Sequence, residues 1–152
     1  MAALVALAGL SACGTGERPF RMVQFCLADP DEINVMKNVL RTVASANRLS
    51  FYDGSAEAEA NLDAIRNVQK DLPVARPTVN VGATGRDGMG FSATNFPEAP
   101  SQIVVGFSAA DDPAAARNLS DAVVVALARR WRIHDVPNVA TSGAFPLPDC
   151  GG

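Results

Sequence analysis

The sequence contains a single histidine, His134, among its 152 residues. Any Ser-His or Cys-His catalyst, and any metal site built on several imidazoles, must therefore use His134 or do without histidine. No GxSxG stretch frames a serine nucleophile either. The neighbouring Asp135 is not expected to orient the imidazole, because adjacent side chains usually diverge. A core or surface histidine after the last helix is the commoner interpretation.

The chain also lacks a strong charge of either sign. Its formal net charge is −3, charged residues make up 19%, and Arg and Lys are scattered. No basic field of the kind that holds a nucleic-acid backbone is present, so a nucleic-acid partner is not expected. The hydrophobic share of 48% is that of a globular protein. The length fits one domain, which we place over residues 20–152.

Motifs for phosphate and metal binding are missing. The glycine-rich run from Gly82 to Gly90 lacks the Gly-Lys-Ser/Thr ending, and no helix follows it, so a hairpin turn explains it better. Two carboxylate clusters lack the spacing of a calcium loop and lie where helices are expected to begin: Asp29, Asp31 and Glu32, and Asp111 and Asp112. The sequence predicts no metal site and no cofactor.

The first twelve residues, MAALVALAGLSA, contain neither Lys nor Arg. This apolar run is shorter than the roughly 20 residues of a membrane-spanning helix but has the length of a signal-peptide core. Because the positive amino-terminal region is missing, either the natural start lies upstream of Met1 or the segment is weakly exported. A buried amino-terminal helix of a cytosolic protein is the alternative interpretation.

The stretch LSAC, residues 10–13, closes this run and resembles the lipobox of bacterial lipoproteins. The resemblance implies a signal peptide over residues 1–12, cleavage before Cys13, and a lipid on the Cys13 sulfur that anchors the chain in a membrane. Residues 13–19 then have the composition of a tether. Gly14 stands where an aspartate would mark inner-membrane retention, which implies an outer-membrane anchor with the domain facing the periplasm.

The two remaining cysteines, Cys26 and Cys150, form an even pair once Cys13 carries lipid. In an oxidising compartment they are expected to form a disulfide that ties the first strand to the carboxyl-terminal tail. Two unpaired thiols, one in a strand and one near the terminus, are the alternative.

Hydrophobic spacing predicts the elements of the domain, with period two in strands and three to four in helices. Strands are expected over 20–28, 49–53 and 102–109, a hairpin over 78–94, and helices from about Asp29 to Ala46, from Ser55 to Leu72 and from Asp111 to Ile133. The tail from Val136 is expected to be extended. This order favours an α+β two-layer sandwich, a mainly antiparallel sheet with helices on one face. A ferredoxin-like arrangement with an inserted helix is one version.

The sequence of the third predicted helix contains features for and against a helix. An Asp cap, Pro113 and an apolar stripe favour a helix, whereas the three valines from Val123 to Val125 lower helix propensity and leave a strand open.

The best candidate contact surface is the stretch RRWR, residues Arg129, Arg130, Trp131 and Arg132. Guanidinium groups beside an aromatic ring suit anionic headgroups or an acidic protein patch. Cations at a helix carboxyl end are equally explained by the helix dipole.

We therefore expect a non-enzymatic, lipid-anchored envelope protein that binds another protein or an envelope component. A periplasmic hydrolase that uses His134 or carboxylates is one alternative, and a structural accessory of an envelope assembly is another.

Overall fold

The computed structural model describes residues 19–71, 77–96, 99–109, 111–137 and Cys150. The described ranges form six strands and three helices, in the order β1 (Arg21–Cys26), α1 (Glu32–Ala46), β2 (Ser50–Asp53), α2 (Ser55–Val68), β3 (Asn80–Thr84), β4 (Gly90–Phe96), β5 (Ala99–Ser108), α3 (Pro113–Ala128) and β6 (His134–Asp135). The signal-peptide segment, Cys13 and most of the predicted tail lie outside these residues. Among the described helices, none has both the length and the apolarity needed to cross a bilayer.

The six strands form one sheet in the order β2-β3-β4-β5-β1-β6, and every adjacent pair is antiparallel. Helices α1 and α3 pack against each other and on the same face of the sheet. This confirms the predicted α+β two-layer architecture. Strands β4-β5-β1-β6 with α1 and α3 have the β-α-β-β-α-β order of a ferredoxin-like unit. The insertion between α1 and β4 contains β2, α2 and β3.

The core lies between this sheet face and the two helices. Helix α1 buries Ile33, Met36, Leu40 and Ala44, and α3 buries Ala116, Leu119, Ser120, Val123 and Leu127. The α3 stripe is the predicted one, so α3 is helical despite its three valines. The helix tolerates the low helix propensity of valine because Val123 is fully buried in the core. Val125 lies on the outer face and is exposed.

The predicted hairpin is β3 and β4. Val81 and Ala83 face Ala93 and Phe91 across the pair, and all four side chains are buried. The turn contains Gly88 at φ 79°, a left-handed conformation that glycine adopts without a Cβ penalty.

The starts of the first two helices differ from the prediction. Asp112 caps α3 by accepting from the backbone N–H groups of the second and third helical residues. Helix α1, however, begins at Glu32, because Asp29 Oδ1 accepts from Asp31 N and stabilises a preceding turn instead. Ser55 is not a cap either, since Gly54 is the N-cap of α2.

Helix α2 packs less than its sequence suggested. Its one buried side chain is Ser55, while Ile65 is 49% and Val68 is 90% exposed. The prediction placed Ile65 on a stripe with Leu62 and Leu72; Leu62 is half-buried, and Leu72 lies outside the described residues. The stripe therefore is not a core face within the described part of α2.

Candidate functional site

The predicted contact surface follows directly on α3. The helix ends at Ala128, and the backbone N–H groups of Arg130 and Trp131 both donate to Leu127 O, which forms a tight final turn. Arg129, Arg130 and Arg132 are exposed. We refer to these three residues as the arginine surface. Its cations lie at the carboxyl-terminal, negative end of the α3 dipole.

Trp131 does not belong to that surface. Its side chain is buried, with 6% of the residue exposed, and its ring stacks on Phe25 with centroids 5.3 Å apart. The indole Nε1 donates to Glu32 Oε2 at 3.2 Å. The prediction that Trp131 adds an exposed contact is therefore corrected: a ring of this size contributes more area to the core, where its N–H also finds an acceptor.

Glu32 links the segments around Trp131. The sequence showed only that Glu32 lies in the first turn of α1, and it did not indicate this link. Besides the indole, Glu32 Oε2 accepts from Ala28 N at 2.7 Å. One carboxylate thus joins the end of β1, the start of α1 and the turn after α3. Since Arg130 and Arg132 flank the fixed Trp131, their backbone is held in place.

Strand β6 continues from this turn along the edge of the sheet. His134 pairs with Gln24 and Asp135 with Val23, and Val136 N donates to Met22 O. The two-residue strand was missed from the sequence because it is too short to show periodicity.

Because side chains alternate across a strand, His134 and Asp135 lie on opposite faces of the sheet. Asp135 Oδ1 accepts from Arg21 Nε at 3.0 Å, and Asp121 Oδ1 accepts from Arg21 Nη1 at 2.7 Å. Burial lowers the pKa of Arg21, but the hydrogen bonds and charges of these two carboxylates outweigh it and raise the pKa above its ordinary value. Asp135 is thus engaged with Arg21 and does not orient the imidazole.

A small cavity lies where β1 ends and β6 begins. Its volume is about 220 Å³, and it is lined by Cys26, Leu27, Ala28, Arg132 and His134. The structure therefore brings together one arginine of the predicted surface and the single histidine of the chain. We refer to it as the Arg132–His134 pocket.

Cys26, in the wall of this pocket, is bonded to Cys150 in a disulfide with a Cα–Cα distance of 5.0 Å. Ser101 Oγ also donates to the carbonyl oxygen of Cys150 at 2.8 Å. Cys150 is therefore held against β1 and β5 beside the pocket. In this state Cys26 offers no thiol to His134.

The described carboxylates do not assemble a metal site: within these ranges no three His, Cys, Asp or Glu side chains converge. A second polar cluster joins α1 to the inserted unit. Lys37 Nζ lies 2.9 Å from Asp53 Oδ2 and donates to Ser55 Oγ at 3.0 Å. Ser55 Oγ also accepts from Asn80 N, so the hydroxyl is a structural link and not a free nucleophile.

Burial raises the pKa of Asp53, but hydrogen bonds from Ser55 and Lys37, together with the lysine charge, outweigh this and hold the pKa below its ordinary value. The aspartate is therefore ionised near neutral pH, which keeps Lys37 paired.

No protein-family model matches the sequence, and no curated protein matches it significantly. Among solved structures, the chain is similar to the adenosylmethionine decarboxylase from Aquifex aeolicus VF5. The two share 12% sequence identity over 82% of this chain and 94% of that chain, with a TM-score of 0.41. Similarity at this level does not transfer an activity, so the site is argued from the residues themselves.

Proposed function

We propose that this protein is a lipid-anchored domain of a bacterial cell envelope that binds an acidic protein or envelope component through its arginine surface. It acts in this proposal by binding and not by catalysis. The membrane contact is a lipid on Cys13, and the outer membrane, with the domain in the periplasm, is the proposed location.

The observation that carries the binding role is the buried Trp131. An indole fixed between Phe25 and Glu32 holds the backbone of the arginine surface rigid, so its guanidinium groups are presented with less loss of conformational entropy on binding. Arginine is well suited to paired hydrogen bonds with carboxylates and phosphates.

Two features support the location. The LSAC stretch resembles a lipobox, and a disulfide such as Cys26–Cys150 persists mainly in oxidising compartments. A tethered domain is also concentrated near other envelope components, which makes modest contacts useful.

The test is a crosslinking pull-down from intact cells that express the chain with its natural start. Arg129, Arg130 and Arg132 are changed together to Ser, and we expect partner recovery to fall at least about tenfold, since hydrogen bonds to charged groups are lost. The matched control changes Arg86 and Arg117, which are exposed elsewhere, to Ser and retains recovery. Equal recovery from both variants would remove the arginine surface from the proposal.

The location is tested separately by mass spectrometry of the mature protein. We expect an amino terminus at Cys13 with a covalently bound lipid, and a Cys13→Ser variant without it. A mature chain that keeps residues 1–12 and an unmodified Cys13 contradicts the envelope location. If His134→Ala abolishes a measurable turnover, the protein is an enzyme and the binding role is wrong.

A further inference from the structure

We propose that the Arg132–His134 pocket binds an oxyanion, a carboxylate or phosphate group, of a partner that lies on the side of the domain away from the membrane anchor. This inference rests on the proposed function and adds to it the site that recognises the partner, the chemistry of the bound group and the direction from which it arrives.

The pocket brings two nitrogen-bearing side chains to one place. Arg132 and His134 are two residues apart where the chain enters β6, which begins at His134. Both line the cavity. In the part of the chain that the structure describes, neither side chain has a hydrogen bond or ion pair with another residue. The guanidinium donors are therefore left for a ligand.

Two backbone N–H groups of the lining are already engaged. Ala28 N donates to Oε2 of Glu32, a residue outside the lining, at 2.7 Å. The backbone N–H of Leu27 donates to Ser101 O at 2.9 Å. An anion in the pocket would therefore be held by the Arg132 and His134 side chains and not by the backbone.

The other basic side chains near a cavity are different. A cavity of about 530 Å³ along α2 is lined by Asp63, Arg66, Asn67 and Lys70, but there Arg66 Nη1 already lies 3.9 Å from Asp63 Oδ1. Lys37 and Arg21 are also paired with aspartates. Of these two cavities, the Arg132–His134 pocket is thus the one whose arginine is not opposed by a carboxylate of its own lining.

The size of the pocket limits its occupant. A volume of about 220 Å³ is below the roughly 300–1,000 Å³ of sites that enclose a drug-sized molecule. It has room for one charged group with several waters, at about 30 Å³ each. The pocket is therefore suited to a single oxyanion that projects from a larger partner.

The course of β1 indicates the side from which that partner arrives. Pro19, where the described chain begins just before β1, lies against Gly106 of β5, with its Cβ 3.5 Å from the position that a Cβ on Gly106 would take. The pocket lies at the other end of the strand, beyond Cys26. Six residues at about 3.3 Å each separate the two ends by roughly 20 Å. In the proposed function the anchor at Cys13 precedes Pro19 in the chain, so the pocket lies at the end of β1 remote from the point of attachment.

The experiment uses the full 152-residue chain with its disulfide intact, labelled with ¹⁵N. Because the chain has one histidine, its imidazole resonances report on His134 alone. Two probes, inorganic phosphate and acetylated triglutamate, are titrated at constant ionic strength. We expect at least one probe to shift the imidazole resonances saturably, and the probe with the lower Kd identifies the group.

The decisive variant is Arg132→Gln, which should raise that Kd about tenfold or more because the charged donor is lost. Arg86→Gln, which changes an exposed arginine outside both the lining and the arginine surface, is the matched control and should leave the Kd within about twofold, because its charge is screened by solvent. Absence of a saturable shift with both probes, or an equal Kd in Arg132→Gln, overturns the pocket.

A third arm tests the direction. Vesicles of phosphatidylcholine, alone or mixed with phosphatidylglycerol, are added to the probe titration with the natively lipidated protein anchored in them. We expect the probe Kd to be the same with the two vesicle compositions. Competition by phosphatidylglycerol would show that the pocket faces the anchoring membrane and would overturn the assigned partner. If these arms fail while the triple arginine variant still loses its partner in cells, the proposed function stands without the pocket.

Discussion

Replacing Trp131 tests whether the aromatic residue of the arginine stretch belongs to the core. Trp131→Ala removes the stack on Phe25 and the indole donor to Glu32. Large aromatic-to-alanine changes at buried positions cost about 3–5 kcal/mol. A domain of this size is commonly stable by about 5–15 kcal/mol, so the variant should lose a large share of its free energy of unfolding.

Trp131→Phe separates the two contributions. A phenyl ring keeps an aromatic contact with Phe25 but leaves Glu32 without the indole N–H. Hydrogen bonds to charged groups contribute about 1.5–3 kcal/mol, and because Glu32 keeps its bond from Ala28 N and is half-exposed, we expect a loss of about 1–2 kcal/mol.

The assay is urea unfolding followed by circular dichroism, with Val125→Ala as the control. Val125 is 59% exposed on α3, and its truncation should cost less than about 0.5 kcal/mol. In the native protein the single tryptophan should also emit at shorter wavelength than in urea. A loss below about 1 kcal/mol in Trp131→Ala, with native emission like that of the unfolded chain, would refute the buried position.

Two further predictions concern other contacts. Changing Cys26 and Cys150 together to Ser should lower the free energy of unfolding by about 4–5 kcal/mol on the chain-entropy model, since the disulfide links residues 124 positions apart. If the unmutated protein, denatured without reductant, shows two free thiols for these cysteines, the disulfide is contradicted. Asp53→Asn should cost about 1 kcal/mol or less near neutral pH, because the aspartate is a third exposed. Since folding lowers the Asp53 pKa, its stabilisation is present above the ordinary value of 3.8 and is lost as pH falls below it. Urea unfolding of the native protein and of Asp53→Asn at neutral and at acidic pH checks this prediction. An equal difference in free energy of unfolding at the two pH values would contradict it.

The elements that sequence reasoning predicted are those with strong local periodicity. The alternation of Val81 and Ala83, and the spacing of Leu119, Val123 and Leu127, each specify which face is buried. Strand β6 was missed, because two residues cannot show a period and His134 is held by pairing with Gln24, far away in the sequence.

The candidate site was predicted only in part. A run of arginines after a helix is visible in the sequence, and its exposed position follows from the helix end. That Trp131 turns inward depends on Phe25 and Glu32, more than ninety positions earlier, which no local pattern encodes. The pocket that Arg132 and His134 share with the end of β1 depends in turn on the pairing of β6 with β1.

Helix α2 has its one buried side chain at its first residue, Ser55. Ser55 bonds to Asn80 N and to Lys37, whereas Ile65 and Val68 towards the other end are exposed. A helix with so little buried area opens locally while the rest of the domain stays folded. We therefore expect its last amide protons to exchange with solvent faster than those of α1 and α3, and proteases that cut native protein to reach α2 before these two helices. The insertion would then have a lower local stability than the core.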